Sequence, residues 1–149
     1  MSVKPIPEGY HTVTPSLIVR DAAKLIDFMR EAFDAKEIIR FDDPEGKVAH
    51  AEVKIGDSML MIGEANAEFP PSQSMIHLYV ENADAVYESA IKAGAETVKE
   101  LVDQFYGDRS GCVKDSFGNL WWIGTHIEDV PMEEMHQRIE AYMQQAQAV

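Results

Sequence analysis

The stretch VAHAEVKIGDSMLMIGE, Val48–Glu64, decides the fold. Apolar and polar residues alternate through both of its arms, as in half-buried strands, and Gly56-Asp57 between them suits a tight hairpin turn. Upstream, KEIIRFDD (residues 36–43) reads as another strand that stops at the turn composition Pro44-Glu45-Gly46. AAKLIDFMREAF (residues 22–33) places Leu25, Phe28, Met29 and Ala32 on one helical face, with Asp21 as the expected N-cap. HTVTPSLIVRD (residues 11–21) opens the series as a strand with Val13, Leu17 and Val19 on one side. The order is strand, helix, then three strands.

Downstream of the polar, Pro-containing linker ANAEFPPSQS (residues 65–74), the order starts again. MIHLYVEN (residues 75–82) is a strand with Ile76, Leu78 and Val80 on one face. Asn82 or Asp84 can cap ADAVYESAIKAG (residues 83–94), and Gly94 suits the left-handed position after a helix. ETVKELVDQFYGD (residues 96–108) reads as strand plus loop, and GCVKDSFGNLWWIGTH (residues 111–126) as a last hairpin turning at Asp115–Asn119. Sliding the chain on itself by 61 residues aligns Val19 with Val80, Leu25 with Val86 and Ala32 with Ala93, so the two halves read as an internal duplication. The tail EDVPMEEMHQRIEAYMQQAQAV opens like a helix, with Pro131 early and Glu133 and Glu134 in its first turn. Met132, Met135, Ile139 and Tyr142 form a narrow stripe on it, expected to dock on a surface.

At 149 residues, with 46% hydrophobic and 26% charged residues, the chain has the length and composition of one globular domain. Thirteen basic against 26 acidic residues give a net charge of -13. That balance disfavours nucleic acid, whose binding depends on neutralising phosphates with Lys and Arg, and it equally disfavours an anionic membrane surface. One cysteine, Cys112, excludes an internal disulfide framework and fits a reducing compartment. The N-terminus lacks a basic-then-apolar signal pattern and no apolar run approaches the roughly 20 residues of a span, so a cytoplasmic protein is expected.

The segments VTPSLIVRDAAKLIDFMREAF, HAEVKIGDSMLMIGE, HLYVENADAVYESAIKAGAE and YGDRSGCVKDSFGNLWWIGTHIEDV together resemble the vicinal oxygen chelate superfamily of glyoxalases, extradiol dioxygenases and bleomycin- and fosfomycin-resistance proteins, and within it the PhnB-like branch. The resemblance implies an α+β fold. Two βαβββ modules, near residues 10–65 and 73–126, would curl mixed sheets around a shared cavity with their helices on the convex side, forming one domain over residues 1–130, with a C-terminal helix in residues 131–149. It also implies a homodimer.

Glyoxalase-type relatives hold a metal on four ligands, and the resemblance maps those positions to Thr14, Met61, Met75 and Trp122. None is His, Glu or Gln. Thioethers are soft ligands and an indole cannot ligate, so no metal and no cofactor are expected. Period-2 alternation puts His50 and Glu52 on one strand face, and Met75, His77 and Tyr79 on another. His50, Glu52 and His77 are then candidates for a metal set or a general base, beside the plainer reading that they line a wet cavity. Alternation also sends Trp122 inward and Trp121 toward the helices. Asp108 and Arg109 could contact a ligand but are rather expected to pair with each other or with Asp115, and Cys112 to be a structural thiol. His11, His126 and His136 receive no site role.

Two function classes follow. One is a metal-free binding or sequestration protein whose ligand site is His50, Glu52, Met61, His77, Tyr79 and Trp122, taking a small neutral or cationic organic molecule. The other is a divergent lyase, isomerase or methyltransferase-like enzyme using His50, Glu52 and His77.

Overall fold

The structure, a computed structural model, describes residues 2–147. β1 (Ser16–Val19), α1 (Ala22–Phe33), β2 (Lys36–Asp42), β3 (Val48–Ile55) and β4 (Ser58–Glu64) form the first module. β5 (Met75–Tyr79), α2 (Ala83–Lys92), β6 (Glu96–Asp103), β7 (Asp108–Lys114) and β8 (Leu120–His126) form the second, and α3 (Met132–Gln147) follows. Each module carries a four-stranded mixed sheet, ordered β1-β4-β3-β2 and β5-β8-β7-β6. The repeat extends to register: Ser16 opposite Met61 in the first parallel pair recurs as His77 opposite Trp122 in the second. The α+β architecture of two βαβββ modules and a C-terminal helix is the expected one.

The helices lie between the sheets, not on the expected convex side away from a cavity that both sheets enclose. α1 and α2 pack on each other and each on its own sheet. Leu25, Ile26 and Met29 of α1 meet Leu17, Val53 and Ile62, while Val113, Trp121 and Ile123 form the matching floor under α2. Burying each such large apolar side chain contributes about 1.5–3 kcal/mol. Phe33, at the end of α1, lies 4.8 Å from Trp121 between ring centroids and ties the two halves of the core together.

Local signals mostly act as their chemistry dictates. Asn82 Oδ1 accepts from the Ala85 amide at 3.1 Å, and Gly94 follows α2 at φ +109. Two expectations fail. Val13 is exposed, because the strand begins only after Pro15, which has no amide to donate to a ladder. Asp21 is in the left-handed region and its side chain caps nothing; instead the Glu64 carboxylate accepts from the Asp21 amide at 2.7 Å and the Ala22 amide at 3.0 Å. An anion from the end of β4 thus serves the positive end of α1.

Two of the four outer strands are irregular. β2 shifts register at Glu37/Ile39 and Phe41/Asp42, and β6 at Thr97/Lys99 and Lys99/Val102. The linker crosses the outer side of β1, where the Ser72 amide donates to Ile18 O at 3.1 Å. α3 has no buried residue and docks by one stripe: the Tyr142 ring lies 4.8 Å from Phe105, and Arg138 donates to Phe105 O and to Glu128. Met132, expected on that stripe, is exposed, and residues 148–149 of the expected tail helix lie outside the described residues. Among the described residues no helix is long and apolar enough to cross a membrane.

Candidate functional site

A cavity of about 820 Å³ opens between the two modules. One wall is His11, Val13, Thr14 and Pro15 with the end of α1 and the Ile55–Leu60 hairpin; the other is β5, the turn to Asn82, and Val86 of α2. A shared cavity therefore exists, but of the six expected ligand-facing residues only His77 and Tyr79 line it. The reason is the helix layer. With α1 and α2 packed between the sheets, the faces opposite the helices point apart, carrying His50, Glu52 and Met61 on one sheet and His77, Tyr79 and Trp122 on the other. His77 and Tyr79 border the cavity because β5 is an edge strand, and residues 76–82 of it and the turn after it all line the cavity. Alternation separates the two faces of a strand but does not say which face will enclose volume.

On the first open face, His50 Nε2 lies 3.2 Å from Glu52 Oε2, with Met61 opposite Glu52 across the β3–β4 pair. Phe41 and Ile39 stand opposite His50 and Glu52 and are exposed. His77 belongs to the other sheet. Among the described residues no three His, Cys, Asp or Glu side chains gather into a metal-holding group, and His50, Glu52 and His77 are not brought together within the chain. The four family-type metal positions fit an ion no better: Thr14, Met61, Met75 and Trp122 offer a hydroxyl, two thioethers and an indole, a poor donor set for a hard or borderline divalent cation.

The second open face is richer. His77 sits beside Trp122, and the rings of His77 and Tyr79 are 4.8 Å apart. Tyr79 Oη donates to Asp108 Oδ2 at 2.7 Å, and Asp108 Oδ1 meets His126 Nδ1 at 2.8 Å. The Asp108 side chain is only 4% exposed, whereas His126 is half exposed and its Nε2 meets Asp129 Oδ1 at 2.7 Å. Gly124 keeps this face open, since a Cβ there would lie 3.2 Å from Ser110 Cβ and 3.5 Å from His77 Nε2. Hydrogen bonding to Asp108 holds the Tyr79 phenol above its ordinary range and therefore protonated. Asp108, then Asp129, raise the His126 imidazolium above its usual 6.5.

The sequence offers Asp108 as a ligand contact only beside its pairing with Arg109 or Asp115, and gives His126 no role, although alternation along β7 and β8 already puts Asp108, Ser110, Trp122, Gly124 and His126 on one face. The same rule separates Asp108 from Arg109. Arg109 reaches back to Asp84 at 2.8 Å and Asp103 at 3.0 Å, not to Asp108 or Asp115, and its guanidinium holds the Asp84 carboxyl below the usual range. Cys112 is buried and its thiol is pushed up by burial, a structural thiol.

A raised imidazolium makes a signed prediction. The charge-assisted bonds of His126 stabilise the fold fully below its unfolded value of about 6.5, and this contribution is lost as pH rises through the elevated folded value. The difference in Tm between wild type and His126→Gln is therefore expected to be larger near pH 6 than near pH 9. A difference independent of pH would show that the imidazole acts only as a neutral partner.

Against known proteins, residues 10–123 match the family model for the glyoxalase/bleomycin resistance protein/dioxygenase superfamily. The chain is similar to the uncharacterized proteins Mb0911c of Mycobacterium bovis and Rv0887c of Mycobacterium tuberculosis. Each is 38% identical over 134 residues, which are 83% of this chain and 88% and 79% of theirs. Among solved structures it is similar to TioX from Micromonospora sp. ML1, at TM-score 0.66 and 22% identity over 78% of this chain and 99% of that one. It is also similar to the fosfomycin resistance protein FosX from Mesorhizobium loti, at TM-score 0.58 and 19% identity over 83% and 95%. At such identities the structural likeness speaks for the fold alone.

Proposed function

We propose, from the premise that the chain belongs to the glyoxalase/bleomycin resistance protein/dioxygenase superfamily, that it binds and sequesters a small organic molecule without a metal. The observation that carries this reading is the 820 Å³ cavity, of a size that suits one small ligand and bordered on one side by β5 with its His77 and Tyr79. The donor chemistry at the family-type metal positions supports the metal-free half of it. The net charge of -13 adds a long-range potential that draws cationic guests, admits neutral ones and repels phosphorylated ones. We place the protein in the cytoplasm on its single, buried thiol, and as a homodimer on the exposed apolar side chains Ile39, Phe41, Met75 and Tyr79. The PhnB-like branch is our assignment from the segments quoted above.

A planar cationic guest is expected to stack against the aromatic face of the second sheet, where Trp122 adjoins His77. Trp122→Ala is then expected to weaken binding of an N-methylquinolinium probe several-fold to tens-fold, about 0.5–2 kcal/mol, with little change in Tm. Calorimetric titration of both proteins checks it. Unchanged affinity with a lowered Tm would make Trp122 a packing residue only.

A further inference from the structure

We propose that His126 Nε2 is a subsite for a carbonyl oxygen of the guest, and that the Asp129 carboxylate occupies this subsite while the site is empty. The inference deepens the binding reading above and rests on it. Asp108 is the anchor. Each oxygen of this buried carboxylate is already engaged, one by His126 Nδ1 and the other by Tyr79 Oη, so the imidazole is fixed with its Nδ1 proton inward and its Nε2 outward. A carboxylate on one ring nitrogen is the arrangement that readies the other nitrogen for a partner.

What Nε2 meets is the second observation. Asp129 Oδ1 lies 2.7 Å away, yet the Asp129 side chain is 100% exposed. Letting it go breaks a solvent-screened pair, so a ligand oxygen can replace it at little cost. Tyr79 links this point to the cavity: it belongs to the edge strand that borders the cavity, its ring lies 4.8 Å from that of His77, and its hydroxyl shares the Asp108 carboxylate with His126. An aromatic body held against Tyr79 therefore brings a short polar substituent toward Nε2.

Charge selects among acceptors. Asp108 balances the imidazolium, and Asp129 remains nearby after displacement, within a chain of net charge -13. A neutral amide or ketone oxygen gains the charge-assisted bond without adding an anion beside these carboxylates; a carboxylate ligand does not.

The test titrates wild type, His126→Leu and Asp129→Asn with 2-naphthamide, 2-methylnaphthalene and 2-naphthoate, following heat and the His126 ring signals by NMR. In wild type, 2-naphthamide is expected to bind about tenfold more tightly than 2-methylnaphthalene and to shift the His126 ring signals. In His126→Leu that advantage is expected to vanish while 2-methylnaphthalene is unaffected. In Asp129→Asn, a change at a fully exposed side chain, 2-naphthamide is expected to tighten a few-fold as the competing anion is removed. An advantage that survives His126→Leu, an Asp129→Asn protein that binds like wild type, or a preference for 2-naphthoate overturns the subsite. Binding of 2-methylnaphthalene with no gain from the amide fells the subsite alone, whereas no binding of any naphthalene fells the cavity reading with it.

Discussion

Asp115→Ala is expected to lower the free energy of unfolding by about 3–5 kcal/mol, the largest loss of any single polar substitution considered for this chain. The Asp115 carboxylate is buried in the last hairpin and accepts four hydrogen bonds. Oδ1 takes the amides of Phe117 and Asn119, each at 2.9 Å. Oδ2 takes Trp121 Nε1 at 2.9 Å and Asn119 Nδ2 at 3.1 Å. Trp121 and Asn119 are fully buried, so their donors have no route to water once the carboxylate is gone. Asn119 Oδ1 in turn accepts from the Ser74 amide at 2.9 Å, so the damage reaches the start of β5. Asp115→Asn keeps the shape but turns an NH2 group toward N–H donors, and is expected to fall between wild type and alanine. Guanidinium denaturation measures all three; a loss below about 1 kcal/mol for alanine would mean that water replaces the carboxylate.

Gly111→Ala is expected to cost about 2–3 kcal/mol, with no polar group lost. A Cβ at Gly111 would lie 2.9 Å from Lys99 O, 2.9 Å from Tyr87 Cε2 and 3.0 Å from the Leu101 amide. Two of those neighbours are backbone of β6. The third cannot swing aside, because Tyr87 Oη donates to Thr97 Oγ1 at 3.0 Å or Lys99 O at 3.1 Å. Gly63, on β4 of the other module, is the control: its added Cβ would meet Ile18 Cδ1 at 3.4 Å and Ala49 O at 3.5 Å, ordinary contacts. Gly63→Ala is expected to change stability by less than 1 kcal/mol, and equal losses at both glycines would refute the steric account.

Much of this fold is written in local patterns. The Gly56-Asp57 hairpin, the apolar face of α1, the Asn82 cap and the opposite orientation of Trp121 and Trp122 all depend on spacing within a few residues, which a single sequence displays. The cap of α1 does not: it comes from Glu64, more than forty residues away, and nothing near Asp21 announces it. The site follows the same division. The sharing of one face by Asp108, Gly124 and His126 is a period-2 fact, available from the sequence. The place of His77 and Tyr79 at the border of the cavity, with His50, Glu52 and Met61 left on the open face of the other sheet, depends on α1 packing against α2, which no local pattern encodes.

The irregular outer strands have a consequence for how copies of the chain meet at high concentration. A strand edge recruits another chain when it offers an unbroken ladder of amides and carbonyls. β2 and β6 break that ladder twice each, and they carry Lys36, Glu37, Arg40 and Asp42 on one and Glu96, Lys99, Glu100 and Asp103 on the other. The linker takes part of the β1 edge through Ser72. Runaway fibril growth from the β2 and β6 edges is thereby discouraged, and the short edge of β5, beside the cavity, is the edge whose ladder is neither shifted nor covered by the linker.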